Sequence, residues 1–138
     1  MKKYVGPVII FSSLLFLMGM GGLGGPGLVE KIPVPAKNFN ARVIDHQGVQ
    51  TSLSQVSFEG NVFLVGKRGD AIVTIPFERI SQVEIKGPVG NEVVVVAILR
   101  NQEKVEVKVD RYLKFYGKAD FGTFQIETKD LKSISFQP

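Results

Sequence analysis

The sequence predicts an all-β domain behind an N-terminal hydrophobic export segment. Three observations carry this: an uncharged stretch from Val5 to Val29, short alternating apolar runs divided by turn residues from Asn40 onward, and an echo of one strand–turn–strand pattern at an offset of 51 residues. Val, Ile, Leu and Phe dominate the apolar fraction and Trp is absent, a mixture that favours sheet and names no ligand.

The chain opens Met1-Lys2-Lys3-Tyr4, a short basic start, and carries no further charge until Glu30. Its apolar heart, Val8 to Met20, is about 13 residues long, the length of a signal h-region and short of the ~20 needed to span a bilayer. Residues 1–24 are therefore expected to be a signal peptide cleaved near Gly24, giving a secreted, periplasmic or extracellular protein. The run Gly19-Met20-Gly21-Gly22-Leu23-Gly24-Gly25 holds several small-x-small triplets and no Ala-x-Ala site. The competing expectation is thus an uncleaved anchor over residues 5–23 in the inner membrane, with the lysines on the cytoplasmic side. So many glycines would be costly in a packed cytosolic helix. Residues 25–38 read as a Gly/Pro-rich linker, the prolines of Ile32-Pro33-Val34-Pro35 favouring an extended spacer.

Residues 39–138 read as a single β domain, with first strands near Ala41–Asp45, Val49–Leu53, Val62–Val65, Ala71–Ile75 and Gln82–Lys86. The clearest hairpin follows. Val93 to Leu99 is apolar enough for burial on both faces, Arg100-Asn101-Gln102-Glu103 turns, and Val105, Val107 and Val109 then alternate with charged residues as a strand with one wet face. Strands near Tyr112–Tyr116, Gly122–Glu127 and Ser133–Phe136 complete the set. Gly66-Lys67-Arg68-Gly69 reads as a hairpin turn whose glycine supplies a positive φ, and Gly117-Lys118 is its counterpart.

The repeat sets residues 62–85 against residues 113–136. Val62-Phe63-Leu64-Val65-Gly66-Lys67 falls on Leu113-Lys114-Phe115-Tyr116-Gly117-Lys118, and Ile80, Val83 and Ile85 fall on Leu131, Ile134 and Phe136. Between the last two strands of each copy, one turn of 3₁₀- or α-helix would return Ile80 or Leu131 to the sheet. Two similar halves of ~45–50 residues, each with one apolar face it cannot bury alone, predict a small β-sandwich or partly closed barrel.

The chemical inventory is thin. With no cysteine there are no disulfides, thiolate metal sites or Cys nucleophiles. His46 is the lone histidine, on the turn Asp45-His46-Gln47-Gly48, and reads as a solvated turn residue. Glu103, Glu106 and Asp110 alternate with lysines as a charge-compensated surface. Without Lys2 and Lys3, the 17 basic residues become 15 against 13 acidic ones, too even for nucleic acid. Lys104, Lys108, Lys114, Lys118, Lys129, Lys132 and Arg111 make the second half locally basic, allowing a weak contact with an anionic glycan or lipid headgroup. No catalytic residue, cofactor or metal ligand is assigned.

These readings predict a non-catalytic binding or assembly module of the cell envelope that meets another envelope protein through a sheet edge. Ala41–Asp45 and Ser133–Phe136 are the expected edges. The rival readings are an enzyme or anionic-polymer-binding protein acting on envelope glycans or lipids, and a membrane-anchored structural subunit.

Overall fold

The computed structural model describes residues 32–138. The expected signal or anchor, residues 1–24, and the first part of the linker lie outside the described residues.

The elements run β1 (Ala41–Asp45), β2 (Gln50–Phe58), β3 (Phe63–Arg68), β4 (Ala71–Pro76), a first 3₁₀ turn (Phe77–Arg79), β5 (Ile80–Val89) and β6 (Glu92–Leu99). β7 (Lys104–Asp110), β8 (Lys114–Ala119), β9 (Gly122–Glu127), a second 3₁₀ turn (Thr128–Asp130) and β10 (Leu131–Phe136) follow. β1 and β9 fall on the predicted bounds. Both 3₁₀ turns also lie where the spacing placed a helical turn, and each delivers a fully buried residue, Ile80 or Leu131, into the next strand.

The 10 strands form one antiparallel sheet, in the order β4-β3-β7-β6-β5-β10-β1-β2-β8-β9. The sheet curls into a half-barrel around its own apolar face, so the partly closed arrangement forms in place of two separate sheets. Twist accumulates over so many strands, and the register shifts in β1, β2 and β5 add local bends. From β3 to the start of β5, each element has a counterpart beginning 51 positions later, from β8 to β10.

Phe77 is fully buried at the centre of an aromatic cluster. Its ring lies 5.6 Å from Phe39, 6.0 Å from Phe58 and 4.6 Å from Phe136, while Phe58 meets Phe115 at 4.8 Å. Such contacts add about 0.5–1.5 kcal/mol each beyond the burial of area. In β6 the period of two holds: Val93, Val95 and Ala97 are buried, whereas Val94, Val96 and Ile98 are half-buried on the outer face. Burial on both faces is therefore not found. The cross-strand partners of those outer residues are Lys108, Glu106 and Lys104, whose stems cover apolar surface while their charges stay wet.

Two further expectations are corrected. β1 and β10 are not edges: they pair with each other, Val43 opposite Ile134, and with β2 and β5, at the middle of the sheet. Local alternation shows a strand's faces but not its neighbours, and here the pairing joins positions far apart in the chain. Gly66 and Gly117 do not supply positive φ. They lie inside β3 and β8, where a Cβ on Gly66 would meet Val107 at 2.8 Å and one on Gly117 would meet Leu53 at 3.0 Å. The positive φ of the first hairpin belongs to Gly69. The described end of the expected linker, residues 32–38, meets the domain. Lys37 pairs with Glu78 at 2.7 Å, and the Asn38 Oδ1 accepts from Gln55 N at 2.8 Å, holding the β2 bulge where Gln55 takes φ 52.

Candidate functional site

The sheet ends on β4 and β9, each of which has one side without a neighbouring strand. β4 reads Ala-Ile-Val-Thr-Ile-Pro, with no charged side chain. Its hairpin to β3 turns through Gly69, at φ 63, and Asp70, so Arg68 faces Ala71, Gly66 faces Val73 and Leu64 faces Ile75 as hydrogen-bonded pairs. Ile72 and Thr74 then aim their backbone N–H and C=O groups away from the sheet, and Pro76 falls where its missing N–H disrupts no ladder bond. The Ile72 side chain is 73% exposed and Val65 beside it 38%, on the outer face.

β9 differs. It reads Gly-Thr-Phe-Gln-Ile-Glu and ends on Glu127, opposite Lys114 and 3.5 Å from Lys129. Phe124 and Ile126 are partly buried against the core. Charge on an edge strand is one usual protection against strand addition and Pro is another. β9 carries the charge of Glu127, whereas β4 carries only Pro76 at its end.

His46 is exposed on the β1–β2 turn, and its imidazole Nε2 donates to the Lys129 carbonyl at 3.0 Å. The His46 backbone N–H donates to Asp130 O at 3.2 Å. The histidine thus ties a hairpin tip to the second 3₁₀ turn, a contact that sequence reasoning missed. Arg100, on the β6–β7 tip, does the same to the first turn: its N–H donates to Arg79 O at 2.9 Å and its Nε to Glu78 O at 3.1 Å. The equivalence of the two tips is legible in the sequence once about four extra residues before β3 are allowed for, but their docking on the turns is not.

Glu106 and Asp110 lie on the exposed face of β7, while Glu103 at the turn accepts from Asn101 Nδ2 at 2.6 Å. Among the described residues no three His, Asp or Glu side chains converge as a metal site. The basic residues are dispersed: Lys104 and Lys108 are on β7, third from one end of the sheet, and Lys114 and Lys118 are on β8, second from the other. Two exposed groups have shifted acidities. The Lys37 ammonium, hydrogen-bonded to Glu78, holds that carboxyl below the ordinary carboxylate range, and the Asp130 carboxylate raises the Lys129 ammonium. Both are surface ion pairs of small energetic weight.

Among the described residues no helix is long and apolar enough to cross a membrane. No curated protein matches the chain. A family model described as "Uncharacterised protein" matches residues 35–138, from just before β1 to the last residue, and the chain belongs to that family.

Proposed function

We propose that the chain is an exported, non-catalytic binding or assembly module of the cell envelope, which takes up a strand of another envelope protein along β4. The observation that carries this reading is the edge itself: six residues without a charge, outward backbone groups at Ile72 and Thr74, and an isoleucine 73% exposed. An added strand would satisfy those backbone groups, and the exposed Ile72 side chain would give it an apolar contact. Export is supported by the basic start and uncharged stretch of residues 1–29, with a released periplasmic form and a form anchored through residues 5–23 as its two variants. The reading also takes the domain as two copies of one unit, supported by the 51-residue displacement of matching elements. The copies then differ in function, because of the two open edges only β4 is free of charged residues.

The test is recovery of partners from intact cells expressing the tagged full chain. Ile72→Lys and Thr74→Pro are expected to cut co-purification at least severalfold while the thermal midpoint stays nearly unchanged, since neither change removes a ladder bond. Gln125→Lys on β9 is the control and should change nothing. Equal recovery from all variants would refute the edge as the binding surface. Mass spectrometry of the native N-terminus separates the released form from the anchored one.

A further inference from the structure

The two described ends of the chain meet at one rim of the half-barrel, where Asn40 O accepts from Gln137 N at 2.9 Å. Three clefts of 240, 330 and 390 Å³ open along that rim. The first and second share Glu78 and Arg100, and the second and third share Asn40 and Gln137, so they lie side by side as a segmented groove. Its central stretch presents Asn40, Gln137, Ser52 and Ser54. One end carries Arg79 and Asn101, the other Lys118 and Asp120.

The groove is held in shape by backbone contacts that leave most of these side chains free. Arg100 Nη2 donates to Gln137 O at 3.1 Å and its Nε to Glu78 O, fixing the wall between two of the clefts. The side chains of Asn40, Gln137, Ser52, Ser54 and Lys118 make no hydrogen bond or ion pair within the described domain.

We propose that this groove binds a linear oligosaccharide. Side-chain amides and hydroxyls set donors beside acceptors, the pattern that neighbouring sugar hydroxyls match because each hydroxyl both donates and accepts. The lining mixes Arg79, Arg100 and Lys118 with Glu78 and Asp120, a balance that selects neither a polyanion nor a polycation. An extended peptide fits less well. β1, β2 and β10, which border the groove, are interior strands with both ladders occupied and cannot add a strand. Beneath the third cleft the apolar residues Ala41 and Leu53 are only 2% and 4% exposed, and Leu99, Phe39 and Pro138 are spread over the other two instead of forming one anchor pocket. Three adjoining clefts, divided by Arg100 between the first two, give successive sugar units separate seats. The groove and the β4 edge share no residue, so this site stands or falls separately from the strand-binding reading.

The experiment is isothermal titration of the full chain, kept soluble in a sugar-free detergent, with maltohexaose, chitohexaose and the hexamer of galacturonic acid. The expected result is saturable binding of at least one, with Kd of ~10–1000 μM. The double variant Asn40→Ala/Gln137→Ala should weaken that binding about tenfold, by loss of two exposed hydrogen-bonding groups, without moving the thermal midpoint. Because hydrogen bonds to hydroxyls are not screened as ion pairs are, binding should persist in about 0.5 M NaCl. Absence of saturable binding to all three sugars would overturn the proposal. So would unchanged affinity in the double variant, or loss of binding in salt.

Discussion

Residues 63–85 and 114–136 trace the same elements in the same order, and the places where they differ separate what the fold demands from what it tolerates. Gly66 and Gly117 are both glycine, and at both a Cβ would strike the neighbouring strand. The tips that dock on the two 3₁₀ turns use Arg100 in one place and His46 in the other. Gly48 at the β1–β2 tip, with φ 85, is matched at the β6–β7 tip by Gln102, with φ 78. The edges differ most, with β4 bare and β9 charged at its end. Close backbone approach admits one residue type, a carbonyl needs only some N–H donor, and a solvent-exposed turn accepts strain. Edge chemistry, which neither packing nor turn geometry dictates, is where the two ends of the sheet are free to take different roles.

The comparison breaks most visibly at the glycines. Gly66→Ala would bring Cβ to 2.8 Å from two Val107 atoms and 3.0 Å from the Lys108 carbonyl, which is backbone and cannot swing aside. Overpacking of this kind should cost about 2–3 kcal/mol. Gly117→Ala meets only the side chains of Leu53 and Val56, at 3.0 and 3.2 Å, and should cost less, roughly 1–2 kcal/mol. Urea unfolding of the two variants measures the difference, and equal costs would show that the two approaches are not set by backbone in one case and side chain in the other.

The tips come next. Arg100→Ala removes two side-chain hydrogen bonds, to Glu78 O and Gln137 O, and should destabilise by about 1–2 kcal/mol; His46→Ala removes one and should cost roughly 0.5–1 kcal/mol. His46→Arg should restore most of the loss, since a guanidinium already does this work at the other tip. If His46→Arg proved no better than His46→Ala, the two contacts would not be equivalent.

Much of this was legible beforehand and some was not, for physical reasons. Strand bounds such as Ala41–Asp45 and Gly122–Glu127, and the turns that return Ile80 and Leu131 to the core, follow from apolar spacing, which is local. That β1 and β10 occupy the centre of the sheet depends on pairing across the whole chain, as Val43 with Ile134, and no local pattern encodes it. Gly66 is legible as a structural glycine but not as one required for clearance: a glycine needed for a turn and one needed for close approach look alike until the neighbouring strand is known. The groove at the rim joins Ser52, Gln137 and Lys118, separated in sequence and unremarkable singly.

Smaller effects sharpen the same contrast. Gln102→Gly should stabilise by roughly 0.5–1 kcal/mol, because glycine takes positive φ without the Cβ penalty, and Gly48→Gln should destabilise by a similar amount. Paired thermal melts read both. The weakest is the Lys37–Glu78 contact. The Glu78 pKa is depressed in the folded state, so the contact's contribution is present above the ordinary carboxylate range and lost as pH falls through the folded pKa. Lys37→Met should therefore move the Glu78 midpoint upward in an NMR titration; an unmoved midpoint would assign the shift to the backbone instead.

The central claim, that β4 receives a partner strand while β9 does not, is tested most directly by hydrogen exchange of the full chain in isolated native envelopes and after purification. The outward amides of Ile72 and Thr74 should exchange slowly in the envelope and quickly once purified, with the β9 peptide exchanging alike in both. Fast exchange of β4 in both samples, or equal protection of the two edges, would contradict the account.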